Sequence, residues 1–590
     1  MRSKLPVLLT VCAAVLAINL DTTIVNVALP SISTDLDAGT RSLQWIVDGY
    51  NLAFAALVLA AGSLSDRYGR RPALILGLLG FAAASMVGAV VDSSGALIAA
   101  RVAMGTAAAV IFPTTLSIIT NTFRERRERA AALGVWGAVV GIGVAAGPVT
   151  GGLLLEHFAW GSVFWALVPP ALLTAAAAYV LVPESRDPAV PPLDLRGLGL
   201  SVAMLSALVY TIIEAPEHGW ASARTTTGFA LSALLLLVFV AVERRAAHPM
   251  LDLSLFRDRR FSAASGAVTV TFFALFGFIF LITQYFQFVR GYGALSTGAR
   301  ILPVALSIAA ASVVGALLAP RIGTKVVVTS GLLLFGTSFL WISTVAVDAS
   351  YATVIVPQMV LMGLGMGFIS TPATESILLV LPPARAGVGS AVNDATRELG
   401  GTLGVAVVGS VFSSVYAGHL ADGVWSQTAP GVLEQAKDSV GAATAVAAGQ
   451  PQLAQSLQDA FMTGLHTSSL VVGLLCVAAA AIGAVALPGR GASTSQGGSC
   501  VWECAPALPQ PHDPRQGVQE GSRPISPSSW VWASAESGTG TRSPYCPDDA
   551  NMSASGSISA NIAAHASASS RSSRPAPRAR SQVCMKTSEV

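Results

Sequence analysis

Apolar stretches of about twenty residues recur along most of the chain, and a helix of that length crosses a bilayer. Short breaks of charged residues, Gly and Pro separate them. The pattern predicts about fourteen spans, near 6–29, 44–64, 73–91, 95–119, 131–154, 161–182, 197–213, 226–242, 262–288, 296–319, 326–346, 351–374, 388–416 and 466–487. One connection is long: 417–465 is polar and Ala/Gln-rich and reads as a loop. Beyond Arg490 the apolar period stops, and 491–590, rich in Ser, Pro, Ala, Gly and Arg, predicts a disordered tail. The opening "MRSKLPVLLTVCAAVLAINL" imitates a secretory leader. It has no small-x-small cleavage site, and its apolar run continues to Pro30, so it reads as the first span.

Composition agrees with a membrane protein: 53% of the 590 residues are hydrophobic and 11% are charged. A net charge of +3 is too small to argue for nucleic acid. With the N-terminus placed in the cytoplasm and the sides alternating, Arg and Lys favour the inner loops by roughly four to one, as the positive-inside rule requires. That orientation puts both termini inside, 417–465 outside, and "GSLSDRYGRRP" (Gly62 to Pro72) in a cytoplasmic hairpin between spans two and three. Gly315 to Lys325, "GALLAPRIGTK", echoes that hairpin after the tenth span, which suggests two related halves.

Several positions carry candidate chemistry. In the hairpin, Gly62 permits close helix approach and Gly69 a tight turn, while Asp66 stands among Arg67, Arg70 and Arg71 as a surface ion-pair network. Topology alone accounts for the arginines but not for Asp66 or the glycines. Asp21 lies well inside the first span, where a charge requires a partner or water. Arg101 is its natural partner, the one cation deep in the first half, against the plainer reading of an arginine reaching back to the interface. Helical spacing sets Asn19, Thr22, Thr23 and Asn26 on one stripe, expected to face a central cavity, with Asp21 nearly opposite. Gly143, Gly147 and Gly151 form one small face of the fifth span, Gly137, Gly141 and Ala145 a second; Gly152 follows, and Pro148 permits a bend. In the ninth span Phe272, Phe276 and Phe280 recur every four residues, followed by Thr283, Gln284 and Gln287; Phe276, Phe280, Gln284 and Gln287 are cavity candidates, although a Phe stripe equally suits lipid. Asp394, Arg397 and Glu398 are expected to cap the start of the thirteenth span, with Asp394 a second proton site.

Taken together, these stretches resemble the major facilitator superfamily. "GSLSDRYGRRP" looks like its signature loop, which in that family fastens the two halves together on the cytoplasmic side in one conformation. "LDTTIVNVALP" (20–30), "RVAMGTAAA" (101–109) and "GVAAGPVTGG" (143–152) resemble the first-, fourth- and fifth-span motifs of the fourteen-span drug–proton antiporter branch; "LFRDRRF" (255–261) and "NDATRELGGTLGVA" (393–406) are similar to that branch too. Met104 departs from the pattern, which has Gln there. The resemblance covers about 5–488. It implies an all-α major facilitator fold: a six-helix half over 1–183, two extra helices in a linker over 184–259, a second half over 260–490, and the tail.

The implied function is a proton-coupled exporter of lipophilic, cationic drugs or antibiotics in a bacterial cytoplasmic membrane, working by alternating access. Its partners would be a small molecule, protons and the bilayer, with no cofactor, and nothing in the sequence fixes an oligomeric state. The alternative is an exporter or symporter of one metabolite. No G-x-x-x-x-G-K-[ST] loop is present to bind ATP. An enzyme is disfavoured, since the seven His are dispersed with no H-E-x-x-H. Cys500, Cys504 and His512 fit no ordinary zinc module, so no metal is expected.

Overall fold

The computed structural model describes residues 4–187, 193–380 and 386–487. The tail 491–590, with Cys500, Cys504 and His512, lies outside the described residues. Among the described residues all regular structure is helical. In hydrocarbon no water can satisfy backbone N–H and C=O groups, so an apolar segment must bond them within itself. Among the described residues fourteen helices are long and apolar enough to span a membrane. We label them α1 (Lys4–Asp35), α2 (Thr40–Tyr68), α3 (Arg70–Val90), α4 (Ser94–Thr122), α5 (Arg126–His157), α6 (Ser162–Leu181), α7 (Leu195–His218), α8 (Ala223–Glu243), α9 (Arg259–Val289), α10 (Ala294–Ile322), α11 (Thr324–Ile342), α12 (Tyr351–Ile377), α13 (Ala386–Asp422) and α14 (Pro451–Ala486). Side chains satisfy several starts: Ser93, Asp194, Ser222 and Asp258 accept hydrogen bonds from first-turn N–H groups.

Helices α1–α6 pack as one half and α9–α14 as the other, while α7 and α8 pack on each other and α7 lies against α2 and α13. The echo between halves has a backbone counterpart. Gly69 is the single residue between α2 and α3, and Gly323 the single residue between α10 and α11, with φ of 131° and 95°. Only glycine takes such angles without strain.

We call the side carrying Gly62 to Pro72 the loop end, and the other the far end. Among the described residues, the side-chain hydrogen bonds found between the halves lie at the far end. Gln44 of α2 donates to the carbonyls of Val405 (3.3 Å) and Ala406 (3.0 Å) and to Ser410 (3.3 Å) on α13. Gln287 of α9 donates to the Val27 carbonyl at 2.9 Å. Between α5 and α10, a Cβ on Gly152 would meet Leu295 Cα at 2.5 Å, and one on Gly298 would meet the Pro148 carbonyl carbon at 2.6 Å. Nearer the loop end, Val135, Ile142, Val313 and Leu317 of these helices are exposed. The molecule is closed at its far end.

The stretch 417–465 is not a loop. α13 continues to Asp422, short helices follow at Pro430–Asp438 and Val440–Ala447, and α14 begins at Pro451. A hydropathy window registers only the membrane-length core of a helix, while Ala and Gln continue one well beyond it. This far-end cap is packed: Trp425 is fully buried and donates to the Leu453 carbonyl at 3.2 Å, and Tyr416 donates to the Ala436 carbonyl at 3.0 Å. Its Ser439 hydroxyl lies 3.2 Å from that of Ser33 in the first half.

Candidate functional site

The centre of the first half is an ion pair. Arg101 Nη1 lies 2.8 and 2.7 Å from the two oxygens of Asp21, and the side chains are 1% and 0% exposed. Arg101 Nε donates to the Ile46 carbonyl of α2 at 3.1 Å, its guanidinium sits 4.3 Å from the Tyr50 ring centroid, and Met104 Sδ lies 3.9 Å from Nη1. Arg101 begins only two turns into α4, yet α1 and α2 cover it, so it does not reach back to the interface. The arrangement spends the charge of both groups inside the protein, where each stabilises the other and neither meets lipid.

Next to the pair, α1 interlocks with α5. Pro148 has no N–H, which frees the carbonyl four residues earlier, that of Val144. Thr23 supplies the missing donor at 3.2 Å. Its hydroxyl lies over Gly147, and a Cβ there would also stand 3.0 Å from Ile24 N and Leu20 O. Gly143 faces Asn19 (2.8 Å to Cβ) and Gly151 faces Ile24 (2.8 Å to Cγ1), whereas Cβ atoms on Gly137 and Gly141 would meet nothing within 4 Å. Of the two small faces on α5, the 143–147–151 face is the packed one. The polar stripe on α1 is accordingly divided. Thr23 and Asn26 are buried, Asn26 donating to the Thr22 carbonyl at 3.1 Å, while Asn19 and Thr22 remain half-buried.

At the loop end Asp66 accepts from Arg70 Nε at 2.7 Å, and Arg71 pairs with Glu184 at 3.4 Å. Arg70 N donates to the Ser185 carbonyl at 2.9 Å, and Asp187 N to the Asp66 carbonyl at 2.7 Å. Arg67 lies over Tyr68, 5.8 Å from its ring centroid. Gly62 is close to Pro113, at 3.3 Å from a Cβ, and Gly69 to Glu184, at 2.8 Å. The loop grips 184–187, the segment that leaves the first half.

Residues 11–405 match the pattern of the Major Facilitator Superfamily. The chain belongs to the major facilitator superfamily. Among its relatives, the multidrug efflux pump LfrA of Mycolicibacterium smegmatis is 36% identical over 80% of this chain and 94% of that one. The puromycin resistance protein pur8 of Streptomyces alboniger is 35% identical over 70% and 83%, and the tetracenomycin C resistance and export protein of Streptomyces glaucescens 31% over 81% and 90%. A bacterial homologue of the human lysosomal transporter Spinster, in an inward-facing occupied crystal structure, shares the fold with a TM-score of 0.58 at 16% identity, over 81% of this chain and 96% of that one. The protein is thus a multi-pass membrane transporter of this superfamily, not an enzyme.

In the second half of this facilitator the candidates are spread out. Phe280 and Gln284 are fully buried; Gln284 Nε2 donates back to the Phe280 carbonyl at 3.0 Å, and among the described residues its Oε1 has no hydrogen-bond partner. Phe276 is half-buried against Gly401, whose Cβ would lie 3.2 Å from the ring. Gln287 is taken up by Val27, as above. Asp394, Arg397 and Glu398 lie within α13, not at its start: the helix begins at Ala386, so they do not cap it. Asp394 is 6% exposed, Arg397 donates to Thr374 at 3.3 Å and lies 5.2 Å from the Phe272 ring centroid, and Glu398 Oε2 has no hydrogen-bond partner among the described residues.

One group escaped the sequence reading altogether. Asp48 of α2 is 0% exposed, and among the described residues neither of its oxygens has a hydrogen-bond partner. The signal was present as an acid eight residues inside a helix of span length, four after Gln44.

Proposed function

We propose that this transporter exports lipophilic, cationic drugs or antibiotics in exchange for protons, from a bacterial cytoplasmic membrane, with both termini and the loop end on the cytoplasmic side. The observation that carries the proposal is the buried Asp21–Arg101 pair at the junction of α1, α2 and α4. The relatives described as efflux pumps and resistance proteins support the class of substrate. Arginine keeps its charge. Pairing favours the Asp21 carboxylate, whereas burial away from Arg101 favours the acid. Protonating Asp21 with Arg101 still in place would strand a buried cation, a cost of about 3–5 kcal/mol. Proton uptake and a shift of α1 against α4 therefore occur together. The Gly143, Gly147, Pro148, Gly151 and Gly152 face of α5, and the Gly62–Arg71 loop, carry that shift to the ends of the bundle, where the two sides open in turn. Asn19, Thr22, Phe276 and Gln284 line the route of the drug, and Asp394 is a second proton carrier. The divisions at 183, 259 and 490 mark the first half, the inserted pair, the second half and a tail dispensable for transport.

The test is a substrate panel on purified protein in proteoliposomes. Uptake of lipophilic cations driven by a pH gradient, abolished when the gradient is collapsed, is expected; transport indifferent to the gradient would overturn the reading. The export protein for tetracenomycin C among the relatives supports a narrower alternative, export of a single compound. One active compound out of a chemically varied panel would favour it.

A further inference from the structure

Helical spacing places Asp48 on the face of α2 that meets α13. Gln44, one turn before it, bonds Val405, Ala406 and Ser410. Leu52, one turn after it, packs against the buried cluster that Ala406 of α13 forms with Val209, Ile212 and Ile213 of α7. Asp48 stands between these two contacts, so it points into the seam where the two halves close at the far end. The seam is sealed on its flank by α7, because Ser410 also donates to the Ile212 carbonyl at 2.9 Å. Asn51, one turn on, adds a third polar atom without a partner among the described residues, its Nδ2.

No cation relieves Asp48. Arg101 lies on another face of α2, holding the Ile46 carbonyl and paired with Asp21 of α1. α13 carries Asp394, Arg397 and Glu398, about two turns before Val405; from α7 come Tyr210, whose ring faces Trp45, and Glu214, which is paired with Arg41. Among the described residues none of the cations lies within ion-pairing distance of Asp48. An ionised carboxylate shut in an apolar seam without donors is strongly disfavoured, while the neutral acid is tolerated. The closed seam and a charged Asp48 exclude each other.

We propose that Asp48 is a proton-operated latch of the far end: carrying a proton, it lets α2 close on α13; ionised, it holds that seam open to water. The inference deepens the proton-coupled reading above and rests on it for the direction of travel. With the far end outside, a proton taken from the external solution would permit outward closure, the order that exchange against an outgoing drug requires. The latch itself is a property of the seam and can be read without drug or gradient.

The experiment measures the distance between spin labels at the far end, one per half, on the exposed residues Asp92 and Asp348 changed to Cys, by double electron–electron resonance. The full chain is held in lipid nanodiscs, with Cys500, Cys504, Cys546 and Cys584 replaced by Ser. In this parent the short, closed distance should lose population as pH rises, by about tenfold per pH unit once Asp48 titrates. Asp48→Asn should stay closed at every pH, and Asp48→Glu should recover the pH response with a displaced midpoint. Should Asn prevent insertion, Asp48→Thr, neutral and of similar size, replaces it. An Asp48→Asn variant that opens with pH like its parent, or that favours the open distance, overturns the proposal. Asp21→Asn is run beside it. If that change alone abolishes the pH response, the latch at Asp48 is refuted while the role of Asp21 stands; if proteoliposomes show no proton-driven export yet Asp48 still sets the seam, the converse holds.

Discussion

Adding one methyl group at Gly298 should prevent the far end from closing. In the closed molecule a Cβ at this position would lie 2.6 Å from the Pro148 carbonyl carbon and 3.1 Å from Val149 N. Comfortable contact between such atoms is about 3.5–4.0 Å, so α5 and α10 would have to separate by roughly 1 Å. The obstacle is backbone on both sides, which no rotamer change can clear. The neighbouring approach of Gly152 to Leu295 and Ala294 transmits the displacement along the same helix pair. Overpacking of this kind costs about 1–3 kcal/mol. The penalty applies only to the closed state, because in the open state the two helices are apart at this end. It should therefore lower the closed-to-open ratio by about 5–150-fold. The assay is the distance between spin labels at Asp92→Cys and Asp348→Cys, with Gly266→Ala as the control, since a Cβ at Gly266 would meet nothing within 4 Å. Transport should fall in parallel, with normal insertion and expression. A Gly298→Ala distance distribution that overlays the parent would refute the claim that this contact closes the molecule.

Asp21→Asn should insert and still bind drug but lose efflux driven by a pH gradient, with Asp21→Glu retaining part of it; pumping at the wild-type rate would move the coupling role to Asp394. A cysteine at Ser426 should react with an impermeant reagent on intact cells and one at Ser495 should not, and the reverse pattern would invert the orientation. Truncation after Gly491 should leave transport largely intact; a truncated chain that inserts but does not transport would show that the tail has work to do.

The spans were legible because a membrane enforces one rule, a run of apolar residues long enough to cross. The cap over 423–450 was not, since its helices obey ordinary globular rules and a hydropathy window is blind to them. Asp21 could be matched to Arg101 for a similar reason of scarcity: so few charges lie deep in the first half that the partner was nearly forced. Asp66 and Arg70, four residues apart on adjoining helices, were also within reach of sequence. The loop's further partners, Ser185 for Arg70 and Glu184 for Arg71, lie more than a hundred positions away, and nothing local announces them. On α5, spacing offered two equivalent small faces, and only the position of α1 chooses Gly143, Gly147 and Gly151 over Gly137 and Gly141. Thr23 was expected toward a cavity, but Pro148 creates an acceptor on the neighbouring helix that takes its hydroxyl. Asp48 was passed over because it lies near the start of its span, where acids are common at the water boundary; its burial is decided by α13, from the other half of the chain.

The inserted pair α7–α8 makes the two flanks of the molecule unequal. α7 is tied to the first half through Arg41 and Glu214, at 3.4 Å, and to the second through Ser410 and the Ile212 carbonyl; the turn that follows is tied again by Trp220 to Ser414 at 3.0 Å. It is a strap laid across one parting line, with the α5–α10 line left bare. Two halves parting at the far end must stretch or shed one of these ties on the strapped flank and none of them on the other. Opening is therefore unequal: the α2–α13 seam parts against a tether, and the α5–α10 line parts without one.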